Sequence, residues 1–261
     1  MRERASVPEL DHFLDEGLIS QVIRPLRSGK EASVYLCRAV ESNTGHRLLA
    51  AKVYHPSERR NFHDRAVYEE GQRMGKHRER RAIANHTRFG KQAEQGFWVY
   101  HEHAVLTSLS AAGAPVPRPV ALGGNAILME FIAGPDGEAA PQLRHVVLDR
   151  REAEALLGSL IRTMTTFLRH NVVHADLSAY NVLYDGERAT IIDLPQAVDP
   201  RANRSARELL GRDVRNVVNH LTRFGVVADA ERIAEDLWTG FLFADLWDPE
   251  LALPPDLVTG A

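Results

Sequence analysis

With one cysteine, Cys37, in 261 residues, the chain has no internal disulfide, and a reducing, cytoplasmic location is expected. Uninterrupted apolar runs of the roughly 20 residues that cross a bilayer are missing. The opening Met-Arg-Glu-Arg also lacks the basic stretch and apolar core of a secretory leader, so no membrane partner is expected. An excess of one charge is lacking too. The 32 Lys and Arg against 35 Asp and Glu leave a net charge of -3, which gives no global attraction to nucleic acid or anionic lipid. Neither Cys37 nor the twelve His are spaced as a metal cluster.

What is present is ordinary for a folded globular chain: 44% hydrophobic and 26% charged residues, long enough for one large domain or two packed lobes. The charge is unevenly spread. Arg59 to Glu94 holds ten Lys or Arg against five Asp or Glu, which leaves the rest of the chain at -8.

After an amphipathic opening at Leu10, Phe13 and Leu14, the apolar and β-branched residues of Val22-Ile23, 33–36 and 48–53 read as a small antiparallel sheet, broken at Gly29 and at Asn43-Thr44-Gly45. Residues 55–95 are polar, rich in Arg and His, and weakly periodic. Trp98, Val105, Leu106 and Leu109 recur at helical spacing until Gly113 and Pro115 stop them. Ala126 to Ile132 reads as a strand, and the turn Gly134-Pro135-Asp136-Gly137 as a lobe border, giving lobes of 1–132 and 133–261. Beyond it, Leu156, Leu157, Leu160, Ile161, Met164, Phe167 and Leu168 form a helical core stripe, and 182–192 a hairpin around Asp185-Gly186. Ser205 and Glu208 have capping-box spacing ahead of a helix, and Ile233, Leu237 and Phe241 mark a last one.

The chemistry concentrates in His174-Ala175-Asp176-Leu177-Ser178-Ala179-Tyr180-Asn181, which keeps the H-x-D-x-x-x-x-N spacing of a kinase catalytic loop. Phosphoryl transfer needs a carboxylate to orient and deprotonate the attacking hydroxyl, and oxygen ligands for magnesium bound to the nucleotide. Asp176 suits the first role, and Asn181 with Asp193, after the apolar strand of the hairpin, suits the second. A turn aspartate and a capping asparagine are the plain alternative; the hairpin and its terminal Asp193 weigh against it. Lys52 ends the apolar strand Ala50-Ala51-Lys52-Val53-Tyr54 and is the candidate phosphate cation, although a strand-end lysine standing alone is usually a solvated charge. Glu102 is its candidate ion-pair partner, with Glu94 a competitor. The glycine-rich loop G-x-G-x-x-G is absent. In its place stands Ser28-Gly29-Lys30-Glu31-Ala32-Ser33, where backbone, the Ser28 and Ser33 hydroxyls and Lys30 are candidates to meet phosphate.

Taken together, Gly29 to Ala32, Lys52, the catalytic loop, Ile191-Ile192-Asp193 with Pro195-Gln196-Ala197-Val198, and Arg212-Asp213-Val214-Arg215-Asn216 resemble the RIO family of atypical protein kinases over roughly residues 17–224. The resemblance implies an α+β, reduced two-lobed kinase-like fold with a β-rich N-lobe and a helical C-lobe, and an insertion at 56–95. It implies ATP and Mg as cofactors, with adenine held by hinge backbone at Met129, Glu130 and Ile132. It also implies serine kinase activity on a protein substrate or on the chain itself, and ATPase activity in which Asp193 accepts phosphate. Family members act in small ribosomal subunit maturation, so the basic stretch 59–91 is a candidate contact for a ribosomal or RNA partner. The short segment before Gly29 looks like the subfamily lacking an N-terminal winged helix. Asp193-Leu194-Pro195 departs from D-F-G, and no A-P-E or activation loop follows, which puts a conventional peptide-docking surface in doubt. Two other readings stay open: a small-molecule phosphotransferase of the aminoglycoside type, and a nucleotide-gated module that binds ribonucleoprotein.

Overall fold

The computed structural model describes residues 7–55 and 88–243, with backbone alone for 88–95. The expected insertion at 56–95 and the competitor Glu94 therefore fall outside the described residues and side chains. Tertiary contacts group the described residues into two units, one of 7–55, 88–107 and 117–131, the other of 108–116 and 132–243. The two lobes expected from sequence were unbroken stretches, whereas here 108–116 belongs with the second unit.

The first unit is built on a five-stranded antiparallel sheet of order β1-β2-β3-β5-β4, with β1 Ile19–Ser28, β2 Ala32–Ala39, β3 Leu48–Tyr54, β4 Pro119–Gly123 and β5 Ala126–Glu130. Strand alternation divides its residues between two faces. Leu49, Ala51 and Val53 of β3 join Ala126 and Leu128 of β5 in one core, closed by Leu10 and by Phe13 on the short helix α1, Asp11–Asp15. Ala50, Lys52 and Tyr54 therefore point to the opposite face. Between β2 and β3 a single helical turn, α2 (Glu41–Thr44), ends at Gly45 with φ +71°, a left-handed conformation that glycine adopts without a Cβ penalty. Helix α3, Arg88–Ala111, buries Trp98, Val99 and Leu106. Strand β4 was not foreseen, because Pro117 and Pro119 read as punctuation; Pro119 sits at the first residue of an edge strand, where a missing N–H costs no ladder bond.

The second unit is helical apart from a hairpin. Helix α4, Arg150–Arg169, opens on a complete capping box, with the Asp149 carboxylate accepting from Glu152 N and the Glu152 carboxylate from Asp149 N, each at 2.8 Å. Its apolar stripe is buried throughout, and Asn171 at φ +57° ends it in the left-handed conformation usually left to glycine. The hairpin of β6 (Val182–Tyr184) and β7 (Ala189–Ile191) turns on Asp185, whose Oδ1 accepts from Glu187 N and Arg188 N. Helices α5, Ala206–Leu221, and α6, Ala230–Leu242, complete the unit. The capping box expected at Ser205 does not form. Ser205 makes no side-chain cap, and the buried Asn203 takes the local role, its Oδ1 accepting from Ser205 N at 2.9 Å. Among the described residues no helix is long and apolar enough to cross a membrane.

Candidate active site

In the first unit, Lys52 and Glu102 are both buried and meet in a two-pronged ion pair, Nζ standing 2.7 Å from Oε1 and 2.8 Å from Oε2. Removing two charges from water is costly, and such a pair persists only where geometry and further hydrogen bonds satisfy the carboxylate. Tyr54, two residues along the same face of β3, supplies one: its hydroxyl donates to Glu102 Oε2, and Lys52 Nζ lies 5.0 Å from the centre of its ring.

At the turn from β1 to β2, Gly29 N donates to Ala32 O at 2.9 Å. Ser28 Oγ and Ser33 Oγ lie 3.0 Å apart, and Ser33 Oγ lies 3.1 Å from His55 Nε2. His55 N also donates to Glu31 O at 2.8 Å, so the end of β3 braces the turn twice. Lys30 is exposed at its tip. Of the expected hinge residues, Met129 is buried in the β3 and β4 ladders, and Glu130 N donates to Arg118 O at 2.8 Å. Ile132, in the second unit, accepts from Ala140 N at 3.0 Å.

The second unit brings Asp176, Asn181 and Asp193 together. Asn181 Nδ2 donates to Asp176 O at 2.9 Å and to Asp176 Oδ2 at 3.3 Å, and Asn181 O accepts from Ile192 N at 2.9 Å, which ties the catalytic loop to the residue before Asp193. His174, buried, makes a second tie. Its Nε2 donates to Ile192 O at 3.1 Å and its Nδ1 accepts from Asp176 N at 3.2 Å, a pairing that fixes the ring as the Nε2–H tautomer. Ala175 and Asp193 both have positive φ, +65° and +69°, at a cost of about 1–2 kcal/mol each for residues with a Cβ. Such conformations survive only where surrounding bonds over-determine them.

The surrounding bonds come from α5. The fully buried Asp213 accepts from Ala175 N at 2.7 Å and from Leu177 N at 2.8 Å, Asn216 Nδ2 donates to Leu177 O at 2.9 Å, and the Arg212 guanidinium donates to Ala175 O. Leu194, with no exposed surface, anchors the chain after Asp193.

These neighbours set the electrostatics. The Asp176 side chain reaches the surface, yet loop atoms crowding its carboxyl, and then the negative charge of Asp193, raise its pKa from the ordinary value, against the opposing pull of Arg212 and Asn181. Burial pushes Asp213 up to about 7, against its two backbone donors and Arg212. Two carboxylates repelling one another beside an amide oxygen fit a small hard cation: Asn181 spends its amide nitrogen on Asp176, which leaves Oδ1 and the exposed Asp193 carboxylate as magnesium-type donors. Among the described residues no group of three or more His, Cys, Asp or Glu is arranged to hold a metal. Phosphate and water would therefore complete any coordination shell.

Sequence reasoning gave no role to Tyr54, His55 or Asp213. Tyr54 and His55 directly follow the Lys52 strand segment, and Asp213 lies in the Arg212-to-Asn216 motif; proximity to Lys52 and a lone acid inside an apolar helix face were the available signals.

The RIO domain family model matches residues 33–233. The chain is 32% identical over 192 residues to a RIO-type serine/threonine-protein kinase Rio1 of Thermoplasma acidophilum, covering 74% of this chain and 94% of that one. It is 32% identical over 215 residues to human serine/threonine-protein kinase RIO1, and 30% over 228 residues to the Caenorhabditis elegans protein of that name; these matches cover 82% and 87% of this chain. It spans less than half the length of those two animal relatives, 35% and 42%. In fold it is similar to the Rio2 kinase of Chaetomium thermophilum in an ADP/Mg2+-phosphoaspartate complex, with a TM-score of 0.62, 18% identity, and coverage of 94% of this chain and 71% of that one. A TM-score of 0.58 relates it to the same kinase in another crystal structure. With a family match across most of its length, the chain belongs to the RIO family of kinase-like α+β proteins.

Proposed function

We propose that the protein is a RIO-type atypical serine/threonine kinase that transfers the γ-phosphoryl group of ATP, with magnesium, to a protein hydroxyl, its own included, or to water. The observation that carries this reading is the Asp176–Asn181–Asp193 arrangement, in which one amide nitrogen orients the base and leaves oxygen donors for a metal. Membership of a family whose curated members are named serine/threonine-protein kinases supports it, and neither a small-molecule phosphotransferase nor a gated binding module is favoured.

In this mechanism Lys52, fixed by Glu102, meets the nucleotide phosphates as the cation of the first unit. Asp176 orients the acceptor hydroxyl and takes its proton; its raised pKa brings it nearer to neutrality, where a general base works best. The hydroxyl oxygen bonds to the γ-phosphorus as the bond to the bridging oxygen breaks, and ADP leaves. Asn181 and Asp193 are the residues that would hold magnesium, which neutralises charge on the phosphates when bound. Asp193 is also a candidate acceptor: its carboxylate oxygen attacks the γ-phosphorus to give an acyl phosphate and ADP, and water then releases phosphate. The relative of similar fold was crystallised as a phosphoaspartate complex, which supports that branch.

Incubation with γ-labelled ATP and magnesium, followed by mapping of the label, tests the reading. Label on Ser or Thr, on Asp193 or in free phosphate is expected, and all three should disappear in Asp193→Ala. Wild-type turnover in Asp193→Ala sinks the assignment.

A further inference from the structure

We propose that Tyr54 is a positioning residue for the phosphate-binding lysine, acting through Glu102. The proposal rests on the reading of Lys52 as the phosphate cation and deepens it.

The physical problem lies in the ion pair. Lysine is a point charge on a flexible four-carbon stem, and glutamate has several rotatable bonds, so neither partner defines the position of the other. A rigid third group is needed. Tyr54 has two side-chain torsions, is 1% exposed, and its hydroxyl donates to Glu102 Oε2.

Its backbone is clamped as well. Tyr54 N donates to Asn125 O at 2.9 Å, and Tyr54 O accepts from Asn125 Nδ2 at 2.7 Å, while on the other side Tyr54 is in register with Ala32 of β2. Asn125 immediately precedes β5, so two neighbouring strands set the height of the phenol above the sheet. That phenol fixes one carboxylate oxygen, and Lys52 Nζ meets both oxygens at nearly equal distances, 2.7 and 2.8 Å. The strand period of two brings Lys52 and Tyr54 to one face, so the lysine and the post that aligns its counter-ion are carried by a single rigid segment.

The discriminating variant is Tyr54→Phe, which keeps the ring, its packing and its contact with Lys52 and deletes only the hydroxyl. The measurement is kcat/KM for ATP, per folded protein, in the wild type, Tyr54→Phe, Glu102→Gln and the double variant, with Lys52→Met as reference. Tyr54→Phe is expected to lower kcat/KM about tenfold, the worth of one hydrogen bond to a charged group. In the Glu102→Gln background the same change is expected to have an effect of less than about twofold, because a residue acting through Glu102 has nothing left to position. A purely structural tyrosine would lower thermal stability and leave kcat/KM of the folded fraction unchanged. Wild-type kcat/KM in Tyr54→Phe, or an equal loss with and without Glu102, overturns the proposal while Lys52→Met remains defective. Full activity in Lys52→Met overturns the underlying reading of Lys52 instead.

Discussion

Asp213 accepts hydrogen bonds from Ala175 N through Oδ2 and from Leu177 N through Oδ1, so one buried carboxylate on α5 grips the catalytic loop on both sides of Asp176. The grip offsets the positive φ of Ala175 and sets the direction in which Asp176 leaves the backbone. The residue that presents the base thus lies 37 positions away from it in the chain.

Asp213→Asn replaces one acceptor oxygen by an NH2 group facing a backbone N–H. A loss of about 1–3 kcal/mol in unfolding free energy is expected, together with a fall in kcat. The pH dependence has a definite sign. Burial raises the folded pKa of Asp213 to about 7 from 3.8, so its contribution to stability is full below about pH 4 and is lost as pH rises towards 7. The stability advantage of the wild type over Asp213→Asn should therefore shrink between pH 5 and pH 8 in urea titrations; a gap that widens counts against the assignment.

Asp176 sits between opposing charges, and each can be removed. Asp193→Asn takes away a repelling carboxylate and should lower the pKa of Asp176, whereas Arg212→Gln removes an attracting charge and should raise it. Carboxyl carbon NMR titration of Asp176 reads both shifts. Movement in the same direction in the two variants would contradict the geometry.

The Lys52–Glu102 pair is buried on both sides, with side chains 10% and 1% exposed, so solvent screening is small. Glu102→Ala strands a buried ammonium and should cost about 3–5 kcal/mol of stability. Lys52→Met combined with Glu102→Leu should cost clearly less than the sum of the two single changes, measured by urea unfolding, because neither charge is then left unpaired.

His174 links the catalytic loop to Ile192 through both ring nitrogens. His174→Phe keeps an aromatic ring at the position and deletes both bonds. A destabilisation of about 2 kcal/mol is expected, with a larger effect on kcat than on KM for ATP, since the bonds position Asp176 and Asp193 relative to each other. Equal kcat in the folded variant would show that the loop holds its shape without the imidazole.

What the sequence by itself determined were features written within a short window. The His174-to-Asn181 spacing, the hairpin leading to Asp193, the apolar stripe of α4, the apolar strand that carries Lys52, and the assignment to the RIO family all depend on residues a few positions apart, where period and motif carry the information. Only the tertiary structure decided who holds these groups. Glu102, 50 residues from Lys52, was a candidate from its helix and the strand-end lysine, and the fold brings the two together; but Tyr54 is 48 residues from Glu102, and Asp213 is 38 and 36 from the amides whose hydrogen bonds it accepts, contacts that no local pattern reports. The same limit hid β4, whose Pro119 is tolerated because it opens a strand at the sheet edge, and it hid the loss of the capping box at Ser205, where the helix does begin but buried Asn203 accepts from the Ser205 N–H that the box would use. The positive φ at Ala175 and Asp193 is likewise invisible in the sequence, since neither residue type demands it. That conformation is imposed by bonds from α5 and from His174, which form only when the chain is packed.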